Sequence, residues 1–400
     1  MDTRPSALSR TFTEFFDSAK AGGVVLIFCT AVSLALANSP LGGEYLRLWS
    51  AQWGGLTIEH WINDGLMAVF FLLIGLELER EIYNGELSDL RSALLPIFAA
   101  VGGVGVPALI HYGLNSGTPT QPGMGIPMAT DIAFALGVLA LLGSRVPASL
   151  KIFLTALAVI DDLLAIIVIA VFYTQQFSLA YLLGALGVFA LLLALNLVFR
   201  VGSLGVYLAG GALMWFLMLK SGVHATIAGV LLAFAIPFSA RQDDAKSPSH
   251  RLEHWLHKPV SFGVLPVFAL ANTGVVFGAD WVAALTSPNS LGIGIGLVLG
   301  KPVGIALLTL LAVTFGVSRL PSDLGWRHVI GAGLLGGIGF TMSIFIANLA
   351  FVGDASAVNA SKMAILLASL TAGTAGYLWL RWCCAPARQR PGLVADKGTR

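Results

Sequence analysis

Twelve apolar runs, separated by short polar segments, divide this chain. They cover approximately residues 19–37, 60–78, 93–112, 124–142, 150–173, 179–199, 204–220, 223–238, 259–277, 290–315, 328–350 and 360–382. A helix needs about 20 apolar residues to cross the hydrocarbon core of a bilayer. Charged residues make up only 11% of the 400 residues, against about 25% in soluble domains. The sequence therefore predicts an all-α polytopic membrane protein of about twelve transmembrane helices, with one membrane domain over 1–400 and polar tails at 1–18 and 386–400.

The lysines and arginines are distributed unequally between the two sides of the predicted bundle. If the N-terminus is cytoplasmic, 19 of the 23 fall in cytoplasmic segments. Three (Arg47, Lys220 and Lys362) would lie outside, and Lys301 would lie inside a run. The positive-inside rule therefore predicts an even number of spans with both termini in the cytoplasm.

Two of the runs are interrupted. The fourth contains GMGIPMATD at 123–131, and the eleventh contains GGIGFT at 336–341. Each is the middle member of a group of three runs, 3–5 and 10–12, and the two groups would start on opposite sides of the membrane. This pattern is typical of secondary transporters with two inverted-topology three-helix repeats, and predicts two broken helices that cross.

Four ionisable residues lie deep inside the predicted spans. Asp161 and Asp162 begin ten residues after Lys151, roughly 15 Å along a helix and hence near the middle of a core about 30 Å thick. Asp131 and Lys301 fall at a similar depth. Because ionisable residues are costly there and are usually functional, these four are candidate site residues.

A pair of buried carboxylates can hold protons or a hard cation. Na⁺ prefers oxygen ligands of this type, and the same oxygens bind protons. Competition between the two makes an exchanger, provided that the site opens to one side at a time. A purely structural role for Asp161 and Asp162 is the alternative interpretation.

Crossed half-helices would concentrate partial positive charge on one side and partial negative charge on the other. Asp131 beside the first break and Lys301 beside the second would each offset one of these charges. A second cluster, at the predicted cytoplasmic face, contains acidic residues and histidines, which titrate near neutral pH. A role in pH sensing and a solvated loop network both remain open for it. Its candidate residues are Glu77, Glu81, Glu253, His254 and His257.

Together these motifs resemble the NhaA family of sodium/proton antiporters, whose members are among the established examples of inverted repeats. The matching stretches are WINDGLMAVFF at 61–71, GLE at 75–77, ATDIAFA at 129–135, AVIDD at 158–162, SGVHAT at 221–226, LGKP at 299–302 and GIGFTMS at 337–343.

The resemblance implies electrogenic export of Na⁺ or Li⁺ in exchange for H⁺ across a bacterial inner membrane, with pH regulation and no cofactor. It makes Asp161 and Asp162 the carriers of metal ion and proton. Thr130 and Asp131 would lie at the crossing, with Lys301 balancing charge, and the second cluster would belong to the region linked to pH activation. The expected partners are the lipid bilayer, monovalent cations and protons, with no nucleic acid.

The sequence departs from the family pattern in two places. Segment 38–60 looks shorter than its counterpart, which carries a β-hairpin that joins a homodimer, so a homodimer is left open. Glu79 stands where the family is expected to have a basic residue.

Three rival classes follow from the same residues. A passive cation channel or a sodium-coupled symporter of similar fold would also need buried carboxylates. An intramembrane aspartyl protease needs its two acids on separate helices, one of them in a Gly-x-Gly-Asp setting, and this sequence has neither feature. We therefore expect a transporter and no enzyme.

Overall fold

The computed structural model describes residues 7–85, 87–174, 177–239, 247–278 and 281–384, and these are almost entirely helical. The predicted tail at 386–400, and residues 1–6 of the other tail, lie outside the described residues. The α-helices, in chain order, are α1 (Ala7–Ala37), α2 (Gly42–Ser50), α3 (Ile58–His60), α4 (Met67–Asn84), α5 (Leu90–Asn115), α6 (Ile132–Leu141), α7 (Ala148–Phe172), α8 (Leu179–Leu197), α9 (Leu204–Ser221), α10 (Ile227–Ala235), α11 (Pro248–Pro259), α12 (Leu265–Asn272), α13 (Trp281–Leu285), α14 (Pro288–Ile295), α15 (Lys301–Thr314), α16 (Trp326–Gly336), α17 (Phe340–Ala350) and α18 (Ala355–Cys383).

Three π-helical turns join neighbouring helices into longer ones. Trp61–Leu66 connects α3 to α4, Val260–Val264 connects α11 to α12, and Gly296–Gly300 connects α14 to α15. Turns of this kind inside helices are frequent at functional sites. The three long helices that result run over residues 58–84, 248–272 and 288–314, and each of them carries at least one candidate residue.

Eight helices in the described part of the chain are long and apolar enough to cross a membrane, or ten if two bent pairs each count as one span. The predicted runs at 223–238 and 259–277 are not among them. α10 has only nine residues, about 14 Å of helix, and the eight residues of α12 continue the polar helix α11. The prediction of a helical polytopic protein is confirmed at this coarser level, and the number twelve stays a prediction.

A short hairpin lies between the first two predicted runs. Strands β1 (Gln52–Trp53) and β2 (Leu56–Thr57) pair antiparallel. Gly54 and Gly55 connect them with φ values of +61° and +87°, and a two-residue turn with both φ values positive matches the twist of a hairpin. The short segment 38–60 thus still forms a hairpin, while the homodimer stays a prediction.

α5 and α15 pack with their backbones in close contact. A Cβ added at Gly102 would lie 2.1 Å from the carbonyl oxygen of Gly304, so that only glycine fits. Small residues permit such close approach between membrane helices. The contact holds Lys301, the first residue of α15, inside the bundle, where its side chain is fully buried.

The two interrupted segments meet beside α7, the most buried of the candidate spans. α16 and α17 bend by 47° at residues 337–339, and an extended stretch at 129–131 follows the 3₁₀ segment Gln121–Met128 and precedes α6. The backbone N–H of Asp131 donates to the carbonyl of Ile338 at 2.7 Å. The interruptions therefore place backbone and side-chain polar groups of two segments next to the acids of α7.

Candidate functional site

Asp161 and Asp162 lie near the middle of α7, and both side chains are fully buried. The Thr130 hydroxyl donates to Oδ2 of Asp161 at 2.6 Å, and Nζ of Lys301 donates to the same oxygen. Nζ of Lys301 also donates to the Thr130 hydroxyl at 2.9 Å. Three of the candidate residues, which are far apart in sequence, therefore form one connected group.

Asp162 has a different environment. Both of its carboxylate oxygens, and Oδ1 of Asp161, are buried without a hydrogen-bond partner among the described residues. Its electrostatic neighbours include three acids, Asp161, Asp131 and Glu77, with Lys301 as the opposing charge. Buried polar atoms without a partner are rare, and each calls for an explanation. Three such oxygens on adjacent residues can ligate a hard monovalent cation or accept protons.

Asp131 connects the two interrupted segments. Its Oδ1 accepts from the backbone N–H of Phe134 at 2.9 Å and so caps α6. Its Oδ2 accepts from the backbone N–H and the hydroxyl of Thr341, at 3.0 and 2.5 Å. One carboxylate thus lies at the N-termini of both α6 and α17, where negative charge is stabilising. Thr341 belongs to the GGIGFT motif that predicts the interruption, but nothing in the sequence marks its hydroxyl as a partner of Asp131.

Thr130 makes the matching contact with the end of α16. Its hydroxyl lies 2.8 Å from the carbonyl oxygen of Gly336, the last residue of that helix. Lys301, which contacts Thr130, therefore places its positive charge close to a helix C-terminus, where cations are favourable. Its direct partners are Thr130, at the first interruption, and Asp161, on α7, and it reaches the second interruption only through the Thr130 hydroxyl.

The second cluster joins α4 to α11. Arg80 forms an ion pair with Glu253 and a second one, at 3.1 Å, with Glu81. Nε2 of His257 lies 3.5 Å from Glu77 and 3.7 Å from Glu253. The structure therefore brings together four of the five predicted residues, around an arginine to which the sequence analysis gave no central role.

Charges within this cluster perturb the titration of its α11 members. Burial raises the pKa of Glu253, but the Arg80 charge and hydrogen bonds from His250 and His257 outweigh burial and lower the pKa to about 2. Burial lowers the pKa of His257, yet the hydrogen bond to Glu253 and the charge of Glu77 outweigh it, so the net pKa is raised. Glu253 therefore stays ionised, while His257 keeps its proton to a higher pH than an ordinary histidine.

His254, the fifth predicted residue, is exposed on α11. It makes no hydrogen bond or ion pair with any residue that the structure describes. Glu79, which departs from the family pattern, is buried and accepts a hydrogen bond from Ser249 at 3.1 Å.

A cavity of about 40 Å³ separates the cluster from the interrupted segment before α6. Its lining includes Glu77 and His257 on one side and Ile132 and Ala133, the first residues of α6, on the other. A cavity of this size holds at least one water molecule. The cavity thus lies between the cluster and the start of α6.

The chain matches the sequence pattern of the family "Na+/H+ antiporter 1" over residues 13–380. It belongs to this family. It is similar to the Na⁺/H⁺ antiporter NhaA of Dechloromonas aromatica, with 73% identity over 93% of this chain and 96% of the relative. The antiporters NhaA of Cytophaga hutchinsonii and Flavobacterium psychrophilum are 58% and 56% identical, over 94% and 93% of this chain and 96% of each relative. Membership of the Na⁺/H⁺ antiporter family confirms the resemblance seen in the motifs and, with the apolar helices, indicates a bacterial multi-pass membrane transporter.

Proposed function

We propose that this protein is a secondary active antiporter that exports Na⁺, or Li⁺, in exchange for H⁺ at Asp161 and Asp162. The observation that carries the proposal is the set of three buried, unpaired carboxylate oxygens on these two residues. Family membership supports the sodium/proton chemistry. The exchange needs no cofactor, because the transported ions are the only reactants.

Exchange follows from the fact that one set of oxygens serves both ions. A monovalent cation that binds between Asp161 and Asp162 offsets, together with Lys301, their two negative charges and so disfavours protonation, and protonation removes the charge that attracts the cation. Lys301 already engages one oxygen of Asp161. An arriving cation must therefore share Asp161 with the ammonium group or displace it.

Two protons carried by the pair against one monovalent cation would move net charge across the membrane. Moving one charge through 100 mV is worth about 2.3 kcal/mol. Membrane potential would therefore drive export together with the proton gradient, and transport would be electrogenic.

Alternating access would come from movement of one helix group against the other around a fixed site. The contacts of Asp131 and Thr130 with the α16–α17 bend support a crossing of two broken helices. We infer one membrane domain of about twelve spans with two inverted repeats, placed in the bacterial inner membrane with both termini in the cytoplasm. The distribution of Lys and Arg along the sequence supports this topology.

Regulation by pH would reside in the cluster that joins α4 to α11. His257 lies between the carboxylates of Glu77 and Glu253, its pKa is raised, and the cavity beside it adjoins the start of α6. We assign the sensing role to Glu77, Glu81, Glu253 and His257, with His254 at its exposed edge.

Sodium-dependent proton release from membrane vesicles tests the proposal. Vesicles are acidified inside, and a pH-sensitive dye reports release of the gradient when NaCl or LiCl is added. Asp161→Asn and Asp162→Asn should each reduce release at least 100-fold, whereas Asp323→Asn, the same change at an exposed residue, should leave it unchanged. Normal release by either α7 variant would remove that residue from the site. A passive channel would give no sodium-dependent proton release, and a symporter would require a co-transported solute.

A further inference from the structure

Three asparagines from three separate elements meet at the end of the bundle opposite the His257 cluster. Nδ2 of Asn272, at the end of α12, donates to Oδ1 of Asn63 at 2.8 Å. Oδ1 of Asn272 accepts from Nδ2 of Asn348, on α17, at 2.6 Å, and Nδ2 of Asn63 lies 3.4 Å from it. Asn272 is fully buried and is the centre of the group. We call Asn63, Asn272 and Asn348 the amide cluster.

Three phenylalanines from the same three helical segments pack next to the amide cluster. The ring of Phe345, on α17, lies 5.6 Å from that of Phe71 on α4 and 6.5 Å from that of Phe268 on α12, between centroids. All three side chains are almost completely buried. Each of the three helices thus supplies one phenylalanine to an aromatic layer and one asparagine to the amide cluster.

The aromatic layer and the amide cluster both include residues of α17, the helix that begins at the candidate site. Thr341, whose hydroxyl contacts Asp131, is followed on α17 by Phe345 and Asn348. Positions i, i+4 and i+7 share one face of a helix. One face of α17 therefore leads from the interrupted segments through the aromatic layer to the amide cluster.

The other two helices fix the direction in which this face of α17 runs. The helix over 58–84 has Asn63 near its start and Glu77 near its end, and the helix over 248–272 has His257 in its first half and Asn272 at its end. The amide cluster and the cluster around His257 are consequently at opposite ends of the same two helices. The predicted topology places the amide cluster on the outer side.

We propose that the amide cluster is a second contact site for the transported monovalent cation, and that the ion must pass it between Asp161–Asp162 and the outer side. The proposal rests on the antiport function proposed above. Carboxamide oxygens suit a hard cation, and a neutral amide does not hold the ion as a carboxylate does. In the observed arrangement the Oδ1 of Asn272 is occupied by N–H donors, so α17 must move away from α12 before the oxygens can face an ion.

Reversible cross-linking tests the passage. In a chain whose Cys29, Cys383 and Cys384 are replaced by serine, Asn272→Cys and Asn348→Cys are joined by a bifunctional methanethiosulfonate with a two-carbon spacer. Asn289→Cys with Ser361→Cys is the matched control, because this buried pair also makes a direct hydrogen bond, at 2.8 Å, but between α14 and α18. The readout is sodium-dependent proton release in proteoliposomes.

We expect the Asn272–Asn348 cross-link to reduce release at least tenfold and a reductant to restore it, whereas the control cross-link should change release less than twofold. Release within twofold of the uncross-linked protein, with cross-linking complete by mass spectrometry, would overturn the amide-cluster proposal and leave the antiport proposal standing. Failure of the cysteine-free parent to show any sodium-dependent release, when the unaltered chain is equally inactive, would overturn both.

A substitution tests the ligand role of the oxygens. Asn272→Leu keeps the size of the side chain but removes the oxygen, and should lower sodium-dependent release at least tenfold. Asn289→Leu serves as the control for loss of a buried amide elsewhere. Release within twofold of the parent by a folded Asn272→Leu variant would exclude the oxygen as a cation contact. If that variant does not fold, the cross-linking result alone decides.

Discussion

At the scale of single residues, the two acids of α7 share a helix turn but not an environment. Asp161 is held by Thr130 and Lys301, whereas Asp162 has no hydrogen-bond partner among the described residues. Adjacent helical positions point in different directions, so this difference follows from the helix itself. Asp161 is consequently the anchored member of the pair, and Asp162 is the member whose two oxygens have no partner among the described residues.

Removal of Lys301 should destabilise the protein more than removal of the whole ion pair. Loss of one partner leaves a buried charge uncompensated, at a cost of about 3–5 kcal/mol. Lys301→Gln should therefore lower the midpoint of thermal unfolding in detergent, and Asp161→Asn added to it should recover part of the loss. Lys258→Gln, at an exposed lysine, is the control. A Lys301→Gln variant as stable as the parent would contradict the ion-pair interpretation.

The candidate acids could be predicted from the sequence because charged residues are conspicuous in apolar runs. Their partners could not, because hydrogen bonds between distant segments leave no local pattern. Thr341 illustrates this limit: the glycines around it indicated an interruption, but not that its hydroxyl would contact Asp131. The contact that Lys301 makes with Asp161, rather than directly with the second interruption, has the same cause.

At the scale of elements, a run of apolar residues is longer than the helix it forms where the run ends in helix-breaking residues. The run at 223–238 yields a helix of nine residues, bounded by turns near Gly222 and Pro237. Hydropathy counts apolar residues whether or not they are helical, so it overestimates such spans. The interruptions at 123–131 and 336–341 were predictable because glycine and proline act on the backbone locally.

Close packing of α5 on α15 should be sensitive to one methyl group. Gly102→Ala would place a Cβ 2.1 Å from the carbonyl oxygen of Gly304. Such overpacking typically costs about 1–3 kcal/mol and would displace Lys301 from Asp161. We expect a lower unfolding midpoint and weaker sodium-dependent proton release. Gly105→Ala, on the same helix with no atom within 4 Å of the added Cβ, should leave both unchanged, and equal behaviour of the two variants would contradict this packing.

At the scale of the whole molecule, the cluster on α4 and α11 should set the pH range of exchange. The pKa of His257 is raised, so its charge stabilises the cluster below the ordinary histidine pKa of about 6.5 and is lost as pH rises through the raised value. The His257→Gln side chain is uncharged at every pH, as the His257 side chain is at high pH. The pH of half-maximal proton release should therefore shift to lower values.

His254→Gln provides the control for this shift, because His254 is on the same helix but is exposed. Its pH profile should match that of the parent when proton release is measured across pH 6–9. A larger shift from His254→Gln than from His257→Gln would move the sensing role to the exposed residue and contradict our assignment.

The Thr130 side chain connects Asp161, on α7, to the end of α16. Its oxygen carries one hydrogen, and two acceptors compete for it, the Asp161 carboxylate and the Gly336 carbonyl. When a cation or a proton neutralises the Asp161 carboxylate, the Gly336 carbonyl becomes the better acceptor. Rotation about the Cβ–Oγ1 bond of Thr130 would then turn the hydroxyl hydrogen towards that carbonyl. We therefore expect a change in the charge of Asp161 to reach the end of α16 through rotation of the Thr130 hydroxyl.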